Sequence, residues 1–168
     1  LVAPNRIHSL GVEPWRQRYP DARVWLSPRF LERHPDQVHA GVLGDQPPSD
    51  WRGQLDQAVF GGSSFLDEVI FCHRASRTLV VTDMIQRHDP DKQSWFWRQI
   101  KRMVGVLGED GGTSKDLLAS FRDRDTARAS AERILSWDFD RLVISHGACA
   151  SEGAHPLVAE RLAWALPG

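Results

Sequence analysis

Between residues 55 and 83 three runs, LDQAVF, DEVIFCH and RTLVVTD, follow one another with only a GGSS-containing turn and the tripeptide RAS between the last two pairs. The runs are apolar or alternate at period two, which predicts strands, and a three-residue gap is short enough to close a hairpin. A chain with this block in its middle must build a sheet there and fold the rest around it. The second half turns helical. Trp95, Phe96, Ile100, Met103, Val104 and Leu107 recur at helical spacing and predict a helix over 93–107 ended by GEDGG, and a second helix is expected over 125–137. FDRLVISHG then reads as a buried strand, and HPLVAERLAWAL as a terminal amphipathic helix over 156–166 with Pro156 in its first turn. Upstream, LVAPN reads as half of a buried strand, VEPWRQRYP and SPRFLERHP as short helices, ARVWLSP as a strand, and 36–50 as loop. The expectation is an α/β sandwich of mainly antiparallel and mixed strands, with the helices over 93–107 and 156–166 packed on its outer faces.

With 168 residues, 41% hydrophobic and 26% charged, the chain has enough apolar material for one ordinary core, and a single domain over 1–168 is expected. A net charge of -1 gives no basic field for nucleic acid, and no apolar run approaches the roughly 20 residues of a membrane span. Cys72 and Cys149 lack CxxC spacing and sit among apolar or small residues, which fits reduced thiols and a cytoplasmic protein. LVA opens the chain in mid-strand. An N-terminal part is therefore expected to be lacking, and the strand to border an uncovered apolar face or to be covered by another chain.

Three apolar runs end on metal-capable side chains: APNRIHSLG at His8, TLVVTD at Asp83 and LVISHG at His146. Two imidazoles and a carboxylate suit zinc and also non-haem iron, and three ligands leave a coordination position open. Taken singly, each residue has a plainer reading, since Asp after a strand often caps the next element. His73 is expected to be structural at the RAS turn, and His34, His39, His88 and His155 to face solvent. GEDGGTSK lacks the order of a phosphate loop, and neither Ser76 nor Ser145 lies in a GxSxG elbow.

APNRIHSLG, FLDEVIFCHRASRTLVVTD and LVISHGA together resemble the metallo-β-lactamase-like family called domain of unknown function 4336, over nearly the whole chain. The resemblance implies a four-layer αββα sandwich, incomplete at the N-terminus, with metal ligands at strand ends along one rim. The family's first signature, THxHxDH followed by an apolar residue and glycine, falls on Ala3 to Ser9, with Leu10 and Gly11 after. Pro4 and Arg6 stand where histidines would be, His8 at the aspartate and Ser9 at the last histidine. Asp83 matches the aspartate that bridges two metals in active relatives, and His146 matches the last histidine. The middle histidine would fall within GGSSFL, which has no ligand, so a two-metal site is not expected.

These observations predict a degenerate metal site with weak catalysis or none, holding no cofactor or one divalent ion, zinc foremost and iron or manganese next. Arg6 and Ser9 are candidate substrate contacts, with Arg6 also able to pair with Asp83 and neutralise it. The alternatives are a mononuclear metal-dependent hydrolase using His8, Asp83 and His146, and a binding or assembly module. The partner would be a small-molecule substrate or a protein, a second copy of the chain included; nucleic acid and membrane are not expected.

Overall fold

Seven short strands and five helices carry the chain in this computed structural model, which describes residues 1–167. β1 (Val2–Ala3), β2 (Trp25–Leu26) and β3 (Gly41–Val42) pair in parallel in that order. The return from β1 to β2 is made by α1 (Val12–Arg18), whose Glu13 in the first turn and Arg16 and Arg18 in the last complement the helix dipole. Ala3, Val12, Val24, Leu26 and Phe30 form a small core on this side.

The larger sheet is the block anticipated from the middle of the sequence. β4 (Leu55–Phe60) and β5 (Glu68–His73) are antiparallel, β6 (Thr78–Val81) pairs antiparallel with β5 through the RAS hairpin, and β7 (Arg141–Ile144) joins β6 in parallel. Arg77, at positive φ, closes that hairpin. Period-two alternation sorts the faces. Ala58, Phe60, Ile70, Cys72, Leu79, Val81, Leu142 and Ile144 enter the main core. Against them pack α3 (Lys115–Ser120), α4 (Arg124–Leu135) and α5 (Ala154–Leu162), through Leu117, Ala127, Ala131, Ile134, Ala154, Val158 and Leu162. Asp123 starts α4 by accepting the Thr126 N–H at 3.0 Å.

The opposite face of the larger sheet meets the small one. Pro4 accepts a hydrogen bond from the Val69 N–H at 2.8 Å just after β1, and beside it Val2, Pro4, Trp51, Leu55, Val69, Phe71 and Val80 line an apolar groove of about 330 Å³. β1 is the edge strand of the small sheet, with Val2 41% exposed.

One helix departs from expectation. α2 (Trp95–Met103) is shorter than 93–107, and none of its residues is buried. Trp95, Phe96 and Met103 are exposed, so the apolar stripe does not pack on an outer face of the sandwich. Periodicity reports that a helix has an apolar side; it does not say that the fold supplies something to cover it. Among the described residues no helix is long and apolar enough to cross a membrane.

Candidate functional site

β1, β6 and β7 end on the same rim, and the residues just beyond them converge. His8 Nε2 lies 2.9 Å from Asp83 Oδ2 and His146 Nε2 lies 3.2 Å from Asp83 Oδ1. One donor atom from each of the three falls within 4.8 Å of the other two, and the imidazole centroids are 5.4 Å apart. Asp83 is buried and both histidines are partly exposed, so the carboxylate forms the floor and the rings form the mouth.

Each member is held from behind. Asn5, fully buried, donates from Nδ2 to Asp83 Oδ2 at 2.6 Å and to Thr82 Oγ1 at 3.0 Å, while its Oδ1 accepts the Ile7 and His8 N–H groups at 3.0 Å each. One side chain thus joins the turn carrying His8 to the turn carrying Asp83. Glu68, also fully buried, accepts the N–H groups of Thr82 at 2.6 Å, Asp83 at 2.8 Å and Met84 at 2.9 Å, clamping the turn beyond β6. His146 is fixed by the chain that follows Asp83: the Arg87 N–H donates to its carbonyl at 2.8 Å, and Ala148 N–H donates to the Arg87 carbonyl at 2.9 Å. Between them Gly147 sits at φ +127 with its α-carbon against Arg87, where a Cβ would overlap the Arg87 carbonyl.

Electrostatics follow from this packing. The hydrogen bond to Asp83 raises the His8 pKa above 6.5 against the opposing effect of burial, with the charges of Asp83 and Glu68 adding to the rise. Burial alone would push Asp83 up, but the hydrogen bond and charge of His8, the Asn5 amide and His146 together hold it below its ordinary value. Burial pushes Glu68 up to about 7 against its three backbone donors, and the charge of Asp83 adds to the rise.

Other expected positions fall differently. Arg6 does not pair with Asp83: its guanidinium donates to Glu32 at 2.9 Å and lies over the Phe65 ring at 5.1 Å, because β1 ends before it and the chain turns it away. Ser9 lies in the turn leading into α1, its carbonyl accepting the Val12 N–H. His73 bonds to Ser76 at 2.7 Å at the hairpin end of β5, opposite the rim. His88 and His155 are not solvent-facing as expected. His155 bonds the Leu135 carbonyl and packs on Phe139, and His88, half-buried, lies 6.0 Å ring to ring from His146 with Lys101 Nζ 3.1 Å from its Nδ1. Burial, then Lys101 and His146, lowers the His88 pKa. Asn5 and Glu68 were not singled out from the sequence, although Glu68 carried a signal: it is the one charged residue on the inward register it shares with Ile70 and Cys72.

Two sheets enclosed by helices, with side chains gathered at the strand ends of one rim, have close counterparts among solved structures. The metallo-β-lactamase from Pontibacter korlensis superposes with a TM-score of 0.59 at 15% identity, over 98% of this chain and 67% of that one. The fold is that of the metallo-β-lactamases. The DIM-1 metallo-β-lactamase gives a TM-score of 0.60 at 14% identity, over 98% of this chain and 67% of its own, and the enzyme from Hirschia baltica 0.58 at 12%, over 99% and 68%. The chain spans about two thirds of the length of these metallo-β-lactamase structures. No family model matches it, and no curated protein matches it. At such identities the likeness carries the architecture, and chemistry has to be argued from the rim itself.

Proposed function

We propose that the chain is a metallo-β-lactamase-fold hydrolase reduced to a single metal centre, in which His8, Asp83 and His146 hold one divalent ion, zinc by the character of the donors. The observation that carries this reading is the convergence of two imidazole Nε2 atoms and one buried carboxylate within 4.8 Å at the ends of three strands. The donor set fits the ion: two neutral nitrogens and one anionic oxygen form a usual zinc triad with a position to spare. Arg6, bound to Glu32, leaves the Asp83 charge available. A divalent ion there supplies Lewis-acid polarisation of a carbonyl and makes water acidic enough to react near neutral pH.

The chain's own residues do the rest. Asn5 keeps Asp83 Oδ2 aimed at the rim and the Arg87–His146 backbone pair keeps the second imidazole facing the first. Glu68 holds the Asp83 backbone so that the carboxylate does not swing into the core. The mouth side is open enough for a substrate, since about a third of each imidazole is exposed, 29% for His8 and 38% for His146.

A second reading is favoured by one observation: Asp83 already lies within ion-pair distance of both imidazoles, at 2.9 and 3.2 Å, so the carboxylate has partners without an ion and a binding module is compatible with it. The two readings part on activity. Zinc-loaded protein should hydrolyse an activated acyl ester, lose that activity to a chelator, recover it on zinc return, and lose it in His146→Ala and Asp83→Ala. Ester turnover indifferent to chelator and to both substitutions would refute the hydrolase reading.

A further inference from the structure

α2 is turned inside out. At about 100° per residue, Phe96, Ile100 and Met103 form one stripe, Trp95 and Trp97 flank it on either side, and Arg98 and Lys101 fall on the opposite side. The charged side is the one that meets the protein: Lys101 Nζ donates to His88 Nδ1 at 3.1 Å and to Gln93 Oε1 at 2.8 Å, and Arg98 Nε donates to the Pro90 carbonyl at 3.1 Å. The apolar side is left outward, with Trp95 75%, Phe96 60%, Trp97 54% and Met103 66% exposed. Three consecutive aromatics held against water are unfavourable unless something covers them.

Size and charge say what kind of cover fits. A nine-residue helix is about 14 Å long and about 10 Å across, so its outer face falls far short of the roughly 800 Å² per partner that a stable protein interface buries. The helix carries three cations and no acid; Asp89 and Asp91 just before it are matched by Lys92 at 3.5 Å and Arg98 at 3.9 Å. Arg102, exposed on the Trp95 flank, hydrogen-bonds Gln99 at 3.0 Å and, among the described residues, forms no ion pair. Tryptophan and phenylalanine on one side with lysine and arginine on the other is the pattern of a helix that lies in the headgroup layer of a bilayer. The lack of a span-length apolar run bears on crossing a membrane and leaves this mode open.

We infer that α2 docks on the surface of a phospholipid bilayer that bears anionic headgroups, with Trp95, Phe96, Trp97 and Met103 entering the acyl boundary and Arg102 and Lys92 at the phosphates. His88, which anchors Lys101, has its ring 6.0 Å from that of His146, so the docked helix holds the rim beside the lipid surface. The inference goes beyond the metal-centre reading and does not depend on it.

The full chain is sedimented with vesicles of phosphatidylcholine alone and of phosphatidylcholine with a quarter phosphatidylglycerol, and its tryptophan fluorescence is followed with lipid brominated near the headgroup. Partition should favour the anionic vesicles by about fivefold for each cation brought to the surface, and Arg102→Glu should remove at least that factor. Phe96→Ser with Met103→Ser should weaken partition at least tenfold while circular dichroism and melting stay as in the wild type, since α2 has no buried residue. Trp95→Phe with Trp97→Phe should keep most of the partition and lose most of the bromine quenching, because phenylalanine still inserts and the quenched fluorophores are gone. No partition into anionic vesicles, equal partition into both kinds, or partition unaltered by Phe96→Ser with Met103→Ser would overturn the inference. Quenching that survives Trp95→Phe with Trp97→Phe would place another surface on the lipid and overturn it equally. Sedimentation velocity supplies the last check: a dimer in the absence of lipid that dissociates in the Phe96→Ser, Met103→Ser variant would assign the face to a second copy of the chain instead.

Discussion

Asn5 is the residue through which the site is most easily broken without touching a candidate ligand. Its amide serves Asp83 and Thr82 while its carbonyl serves two N–H groups of the His8 turn, so Asn5→Ala leaves buried polar groups unpaired and frees both turns. Partners of this kind typically tune metal affinity by 10- to 100-fold, and Asn5→Ala should weaken zinc binding by about that factor, read by competition with a chelating dye. Unchanged affinity would mean that the turns are held by something else. Titration offers a second check. In metal-free protein the raised His8 pKa makes its pairing with Asp83 a stabilising contribution that is full below about 6.5 and lost as pH rises through the higher folded value. The lowered Asp83 pKa makes its contribution present above about 3.8 and lost as pH falls below that. Glu68, an acid whose folded value lies near 7, favours the fold less as pH climbs from about 4.5 to 7. The melting temperature of stripped protein should therefore fall between pH 6 and 8, while zinc affinity rises over the same span because the ion competes with the proton on His8. A stripped protein that gains stability over that span would contradict these assignments. Asp83 and His146 were legible because each terminates a strand whose apolar run announces its end. Asn5 was not, since one polar letter beyond a strand does not reveal which distant backbone groups it will meet, and Glu68, inside β5, shows in the sequence only as a charge on the inward register without the N–H groups it will hold.

The elements differ in how firmly the core holds them. β5 and β6 carry Ile70, Cys72, Leu79 and Val81 into the main core, and Leu79 is wholly buried. Leu79→Ala should cost about 2–5 kcal/mol in chemical denaturation, the range for a buried leucine cut to alanine. α2 has no buried residue, so Trp95→Ala should change stability by no more than about 0.5 kcal/mol and the α2 amides should exchange with solvent long before those of β6. Comparable costs for the two substitutions would show that the helix is covered after all. The sequence made the strands plain because alternation at period two fixes a face once the sheet exists. It misjudged α2 for a physical reason: Trp95, Phe96, Ile100 and Met103 have the spacing of a core helix, and whether anything lies opposite them is a matter of tertiary arrangement that spacing does not encode. The α1 turn was legible as a short helix by Pro14 and Pro20, yet its role as one wall of a cavity beside His8 depends on where β1 and β2 place it.

At the scale of the molecule, the sandwich gathers three segments distant in the chain, 5–8, 82–84 and 146–148, onto one rim. An ion that binds the folded rim and not the unfolded chain must stabilise the whole fold, by about 2.7 kcal/mol when free zinc stands at 100 times its dissociation constant. The melting temperature should accordingly rise with zinc and return with chelator; a fold indifferent to zinc would count against a preformed centre. The central claim, one ion shared by His8, Asp83 and His146, is met most directly by calorimetric titration of zinc into chelator-stripped protein at pH 7.5, alongside His146→Ala and Asp83→Ala shown to be folded. One zinc per chain, lost in both variants, is the predicted result; no uptake, two ions per chain, or uptake that survives either substitution would contradict it.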